Sequence, residues 1–294
     1  MIYKYNYFLI LHYGSEIVTI ECVESILKFN RNDVKIVIVD NASENGSYEK
    51  LHEKYSNIED ITILQIKEPK GFSYGNNFGY QYIRKQGNAA FIIVCNNDIV
   101  FMQNNFIDIL NTSFNNDNFY VAGPDIYNTA LNRHQNPFKY EIANVKQVDE
   151  SIRSVEYELK HIKSVMIRDY FVDYLKRIRV LAKINQRKYR YEQSRLENVC
   201  IHGSCVIVSS LFVEKAELLF EPMTTFYCEE EILSYRCSVN KWKISYLPEL
   251  KVEHRESKAT KQKYAKYLER RKFMLTNTLE SLNILKDFII ERNK

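Results

Sequence analysis

From Tyr7 to Gly123, short apolar runs alternate with segments whose apolar residues recur every three or four positions. No other feature constrains the fold as strongly. The run Val34–Asp40 (VKIVIVD) is β-branched almost throughout, as suits a strand covered on both faces. Ala89–Cys95 (AAFIIVC) repeats the pattern, and Tyr7–Tyr13, Ile61–Ile66 and Tyr120–Gly123 are further strand candidates. Between them Glu16–Phe29, Ser47–Tyr55, Tyr74–Lys85 and Asn104–Phe114 have helical spacing. Strand–helix alternation predicts an α/β fold with a mainly parallel central sheet and helices on both faces. Ligands in such sheets bind beyond the carboxyl ends of the strands. At those ends stand His12-Tyr13-Gly14, Asp40-Asn41-Ala42-Ser43, Glu68-Pro69-Lys70-Gly71 and Asn96-Asn97-Asp98, a polar edge suited to a polar ligand.

The middle of the chain breaks this rhythm. From Glu141 to Glu197 Gly and Pro are absent, and Val155, Leu159, Ile162, Met166, Tyr170, Tyr174, Ile178 and Leu181 recur at helical spacing. This predicts one long helix or a helical hairpin inserted into the α/β frame. Its second half, Lys160 to Arg190, carries many lysines and arginines against Asp169 and Asp173. Beyond it, Cys200–Ser209, Trp242–Leu247 and Lys251–His254 are expected strands, Glu229 opens a helix, and Lys261–Leu285 is a final helix. The chain thus divides into 1–125, a helical basic insertion at 126–199, a second α/β half at 200–257, and a C-terminal helix at 258–294.

With 294 residues the chain can bury a sizeable core. Its formal net charge of +4 names no partner. The apolar run Phe8–Leu11 is too short for a signal sequence, and no stretch reaches the roughly 20 apolar residues of a membrane span. A cytoplasmic location is expected. The six cysteines form no CxxC pair, so they are read as small buried hydrophobes rather than zinc ligands.

Several short motifs carry chemistry. Asn96-Asn97-Asp98 follows a buried strand, where an Asp beside a side-chain amide can share a divalent cation with a substrate diphosphate. The same triplet also suits a plain turn. Asp40-Asn41 can accept hydrogen bonds from a base or ribose, while Asn41 or Ser43 can cap a helix. Lys70–Gly79 (KGFSYGNNFG) opens a helix whose free N–H groups favour anions. It matches neither a Walker loop nor the dinucleotide fingerprint, and glycines spaced by four also suit close helix packing. Glu229-Glu230-Glu231 at a helix start either forms a solvated cap or supplies a general base, with carboxylate repulsion raising one pKa. His254, in Val252–Ser257, is either structural or a ligand.

The order of these motifs is more telling than any one of them. VDNAS, KGFSYGNN, a strand ending in NND, Gly203-Ser204-Cys205, FYCEEE followed by Arg236, and VEHRES resemble the family 2 glycosyltransferases, especially the bacterial branch with rhamnosyltransferases and other polysaccharide-assembly enzymes. The resemblance covers residues 7–125 and 200–275. It implies a GT-A fold, an inverting mechanism and a divalent metal, Mg²⁺ or Mn²⁺. It implies that Tyr13, Asp40, Asn41, Gly71, Asn77, Asn97, Gly203 and Arg236 bind substrate. Asp98, Asn96 and His254 would form the metal site, and Glu230, with Glu229 beside it, the base. The sequence departs from the family pattern at Asn96, where an Asp is usual, and at Ile232, where a second acid is usual.

The implied reaction moves a sugar from a UDP- or dTDP-sugar to a hydroxyl of a glycan or lipid-linked acceptor. The basic insertion would either dock on an anionic membrane face or form a homo-oligomer contact. Rival readings are a catalytically silent nucleotide-sugar-binding subunit and a nucleotidyltransferase. No nucleic-acid fold motif accompanies the basic stretch.

Overall fold

The protein is described here by a computed structural model covering residues 4–168, 191–255 and 267–292. Strands β1 (Tyr5–His12), β2 (Val34–Asn41), β3 (Ile61–Ile66) and β4 (Ala89–Asn96) lie in the order β3-β2-β1-β4, all parallel. Helices α1 (Glu16–Leu27), α2 (Ser47–Tyr55) and α3 (Phe72–Gln86) connect them. Then come β5 (Ile99–Phe101), α4 (Phe106–Asp117), β6 (Val121–Asn128), β7 (Arg133–His134), α5 (Val145–Lys160), β8 (Leu196–Glu197), β9 (Cys205–Ser209), α6 (Ser210–Lys215), α7 (Glu229–Val239), β10 (Ile244–His254) and α8 (Tyr267–Arg292). The sheet continues from β4 as β9-β6-β10-β5. β9 is antiparallel to both β4 and β6, β10 is parallel to β6, and β5 runs antiparallel to β10.

Successive side chains of a strand face opposite sides of the sheet, and β1 shows how both sides are used. Phe8 and Ile10 join a core with Val23 and Ile26 of α1, Leu51 and Tyr55 of α2, and Phe106 and Leu110 of α4. Tyr7, Leu9 and Leu11 face Tyr80 and Ile83 of α3, Phe212 of α6 and Leu233 of α7. Each fully buried Phe, Leu or Ile contributes about 1.5–3 kcal/mol of transfer free energy. Two such layers hold the strand ends in fixed register. All six cysteines are buried thiols.

The second half departs from the expected strands. Cys200–Ser209 is strand only from Cys205, and β6 runs on to Asn128, past the expected domain boundary at 125. The two expected strands after Trp242 are one, β10, with a register shift against β6 between Leu247 and Lys251. Pro248 lies in that shift and has no N–H to give a ladder.

The expected insertion opens with the end of β6 and with β7, and its first helix is α5, closed at its N-terminus by a capping box between Asn144 and Gln147. Val148 and Ile152 of α5 pack with Ile232 and Tyr235 of α7 and with Leu282, Leu285 and Phe288 of α8, forming a third core. This helix is therefore built into the body of the fold. The basic stretch Lys176–Arg190 lies outside the described residues. Among the described residues no helix is long and apolar enough to cross a membrane.

Candidate active site

The carboxyl ends of β1, β2 and β4 open into a cavity of about 480 Å³. Leu11, Tyr13, Asn41 and Asn96 line it from these strand ends, and Pro69, Gly71 and Phe72 from the start of α3. Thr225, Phe226 and Tyr227 close one side, and Arg270, Phe273 and Met274 of α8 roof it. Asn41 donates from Nδ2 to the Gly71 carbonyl at 3.3 Å, while its Oδ1 is buried without a hydrogen-bond partner. A buried unsatisfied acceptor is costly unless a ligand supplies a donor. Gly71 sits at φ +90°, and a Cβ there would lie 2.3 Å from the Thr225 carbonyl oxygen. The wall is possible only because the residue is glycine.

Asp98 lies just past the end of β4, and the long-range pairing of the sheet brings His254 to it. β5 follows Asp98 immediately and pairs antiparallel with the end of β10, so Ile99 faces His254. Arg255 N–H donates to the Asp98 carbonyl at 2.9 Å. His254 Nε2 stands 3.2 Å from Asp98 Oδ1, and its Nδ1 is 2.7 Å from Gln135 Oε1. With Nδ1–H donating to the carboxamide oxygen, the Nε2 of a neutral ring would present a lone pair. Either a proton on Nε2 or a cation shared by the two groups reconciles a ring nitrogen and a carboxylate oxygen this close. Neighbouring ligands of an octahedral cation with bonds of about 2.1 Å are about 3.0 Å apart, so the pair fits a divalent metal. Among the described residues no group of three or more His, Cys, Asp or Glu side chains could hold a metal alone. The remaining ligands would come from substrate and water, as for cations that share a diphosphate.

The acidic triplet opens α7. Cys228 precedes it in the left-handed region at φ 64°, which turns the chain sharply into the helix. The dipole of the helix favours acids in this first turn. Glu229 is buried, and its Oε1 has no hydrogen-bond partner. Glu230 is partly exposed and accepts the Gly203 N–H at 2.9 Å on Oε1. Glu231 pairs with Lys139 Nζ at 2.7 Å. Burial first, and then the neighbouring carboxylates, raise both Glu229 and Glu230 above the usual glutamate range. His202, next to Gly203, accepts the Ser204 N–H on Nδ1 and lies 6.2 Å ring to ring from His254. Burial lowers its pKa to about 3, so the ring is neutral. Asp98, His254, His202, Gly203 and Glu230 thus form one continuous line of neighbours.

Other expected site residues have internal roles. Asn77 spends its whole amide on Phe220: Nδ2 donates to the carbonyl at 2.8 Å, and Oδ1 accepts the N–H at 2.9 Å. Arg236 is buried, donating to the Leu218 carbonyl at 2.8 Å and stacking over Phe212 and Trp242. The two side chains pin the segment that leads to Thr225 and Phe226. Gly75 and Gly79 allow α3 to press on the sheet, since a Cβ would lie 2.5 Å from Leu11 and 2.2 Å from Leu9. Asp40 is fully buried under the strand ends, accepts the Ser43 N–H, and is raised above the usual carboxylate range by burial. His12 lies 3.8 Å from Asp40. Asn97 donates to Thr19 Oγ1 at 3.0 Å and fixes the turn that carries Asp98. Of the expected residues, Tyr13, Asn41, Gly71 and Asn96 line the cavity.

Sequence reading missed the roof of the cavity, and with it Arg270 and Phe273, and also Gln135 and Lys139, the partners of His254 and Glu231. Phe226-Tyr227, separated from the acidic triplet by Cys228 alone, had a sequence signal in that motif, whereas these four residues offered none.

Residues 8–191 match the protein family described as Glycosyl transferase family 2. The match runs through the expected insertion and ends before Gly203, Glu230 and His254. Among solved structures, TarS of S. aureus is similar at 14% identity and a TM-score of 0.52, over 86% of this chain and 37% of TarS. GalNAc-T7, solved with UDP, GalNAc and Mn²⁺, is similar at 12% identity and a TM-score of 0.57, over 86% of this chain and 44% of that one. The mannosyltransferase PcManGT from Pyrobaculum calidifontis, in complex with GDP-Man and Mn²⁺, is similar at 8% identity and a TM-score of 0.52, over 98% of this chain and 72% of that one. At such identities the likeness shows the fold, the expected GT-A arrangement. The chain spans less than half the length of the TarS and GalNAc-T7 chains. A comparison with curated protein sequences finds no match.

Proposed function

The chain belongs to glycosyl transferase family 2, and we propose that it transfers a sugar from a nucleoside-diphosphate sugar to an acceptor hydroxyl with inversion at the anomeric carbon. The observation that carries this reading is the line from Asp98 through His254, His202 and Gly203 to Glu230, beside a cavity at the carboxyl edge of the sheet. It sets a carboxylate–imidazole pair for a cation on one side and a raised-pKa carboxylate on the other.

The donor base would meet the free acceptor of Asn41, with Gly71 and Tyr13 shaping the pocket. Asp98 and His254 would hold a divalent cation, Mg²⁺ or Mn²⁺, which when bound offsets charge on the leaving diphosphate. Asn96 contributes a neutral oxygen there, so the site carries one negative charge fewer than a pair of acids. Glu230 takes the proton of the attacking hydroxyl at its carboxylate. Gly203 N–H orients that carboxylate; burial raises its proton affinity, Glu231 adds to that, and Lys139 opposes it. No second carboxylate is needed as a nucleophile, unlike in a retaining glycosidase.

UDP- and dTDP-linked hexoses or deoxyhexoses, rhamnose among them, are the proposed donors, and a glycan or lipid-linked sugar the acceptor. Peripheral contact with a membrane, or self-association, is assigned to the basic stretch around Lys176–Arg190. The test is release of free nucleoside diphosphate from a panel of sugar donors with Mn²⁺, followed by NMR of the anomeric configuration. Binding of donors without release under any acceptor would instead identify a silent binding subunit.

A further inference from the structure

We propose that Arg270, at the start of α8, binds the diphosphate of the donor and supplies part of the charge neutralisation that a cation at Asp98 supplies elsewhere in the site. The proposal rests on the nucleotide-sugar reading of the cavity and extends it to a helix outside the matched family segment.

Among the described residues lining the cavity, Arg270 is the one with a full charge; the others are apolar or aromatic, or are neutral polar groups such as Asn41 and Asn96. No described carboxylate lies within ion-pair distance of it. The adjacent arginine behaves differently, since Arg271 is ion-paired to Glu158 of α5. One arginine of the pair therefore ties α8 to α5, and the other faces the cavity. The helix is held there firmly. Ser281 Oγ donates to the Phe226 carbonyl at 2.7 Å, and the Phe226 and Phe273 rings meet edge to face with centroids 5.7 Å apart. Both rings line the same cavity, so Arg270 lies one helical turn from a fixed wall.

A guanidinium in a mostly apolar cleft calls for an anion with oxygens that match its fork of donors. In a nucleoside-diphosphate sugar only the diphosphate is such a group. The neutral Asn96 strengthens the case, because the proposed cation site then carries a single carboxylate, Asp98.

The experiment is calorimetric titration of UDP, dTDP and GDP, each against its nucleoside, into the full chain in EDTA and again in Mn²⁺. Arg270→Gln should weaken diphosphate binding roughly 10- to 100-fold in EDTA and leave nucleoside binding unchanged. Arg270→Lys should recover part of the loss, and thermal unfolding should report both variants as folded as the wild type. Unchanged diphosphate affinity in Arg270→Gln, or an equal loss of nucleoside affinity, would overturn the assignment while leaving the donor reading intact. Failure of the wild type to bind any of the three diphosphates would overturn both.

Discussion

Gly203 donates its N–H to Glu230 Oε1 at 2.9 Å, and a Cβ on Gly203 would lie 2.7 Å from that same oxygen. The glycine therefore both orients the carboxylate and makes room for it. Gly203→Ala should push Glu230 off its position and lower kcat about 10- to 100-fold, the scale of a displacement near 1 Å. Glu230→Gln should lower it about 100- to 10,000-fold. Donor affinity, measured by titration, should change little in either. Near wild-type turnover in Glu230→Gln would transfer the role of base to Glu229.

The acid limb of the pH–rate profile follows from the neighbours of Glu230. Its pKa is raised by burial first and by Glu231 next, and Lys139 opposes them. The base works only when ionised, so activity should rise with pH through a limb above the usual glutamate range. Glu231→Gln removes the repelling charge and frees Lys139 from its pair, so both effects lower the Glu230 pKa and move the limb to lower pH. Lys139→Met removes the opposing cation and should move the limb to higher pH. Limbs that shift together in the two variants would exclude Glu230 as the titrating group.

The parallel half of the fold was legible because β2 and β4 are buried on both faces, so their sequences are almost continuously apolar up to the polar residues Asp40, Asn41 and Asn96 at their carboxyl ends. The strand-end residues Asn41, Gly71 and Asn96 followed from that sheet. The meeting of Asp98 with His254 was suggested by the family resemblance but could not be derived from spacing, because it depends on the antiparallel register of β5 on β10. β5 has three residues, too few to show a period. Asn77 and Arg236 were expected to bind substrate because the family resemblance implied it. Their partners are backbone carbonyls and an N–H of the 218–220 segment, which carry no side-chain signature. α8 looked like a closing helix, and only packing against Phe226 reveals it as a wall of the cavity.

That internal role for Asn77 has a measurable consequence. Asn77→Ala would leave the Phe220 N–H and carbonyl without their partner in a buried setting, at a cost of about 2–3 kcal/mol. Denaturant unfolding should show a loss of that size, with the slope of the transition unchanged. Nucleoside affinity at conditions where the variant is folded should stay close to wild type. A stable variant with weakened nucleoside binding would return Asn77 to the donor pocket.

The proposed cation site rests on two protein side chains, Asp98 and His254, and on a third, Gln135, that orients the histidine. Asp98 supplies the only carboxylate of the Asn96–Asp98 triplet, so Asp98→Asn should abolish the Mn²⁺-dependent gain in diphosphate affinity. Gln135 holds His254 Nδ1 at 2.7 Å and so keeps Nε2 available. Gln135→Leu removes that orientation and should weaken Mn²⁺ binding about 10- to 100-fold, the usual scale for a lost outer partner of a ligating histidine. Asn96→Asp restores a second negative oxygen beside Asp98 and should tighten Mn²⁺ binding instead. The readout is Mn²⁺ titration in the presence of UDP, followed by the water-proton relaxation of the bound ion. If Asp98→Asn kept the full Mn²⁺ effect, the cation would have to bind through substrate alone, and the 3.2 Å approach of His254 to Asp98 would be a structural hydrogen bond rather than half of a metal site.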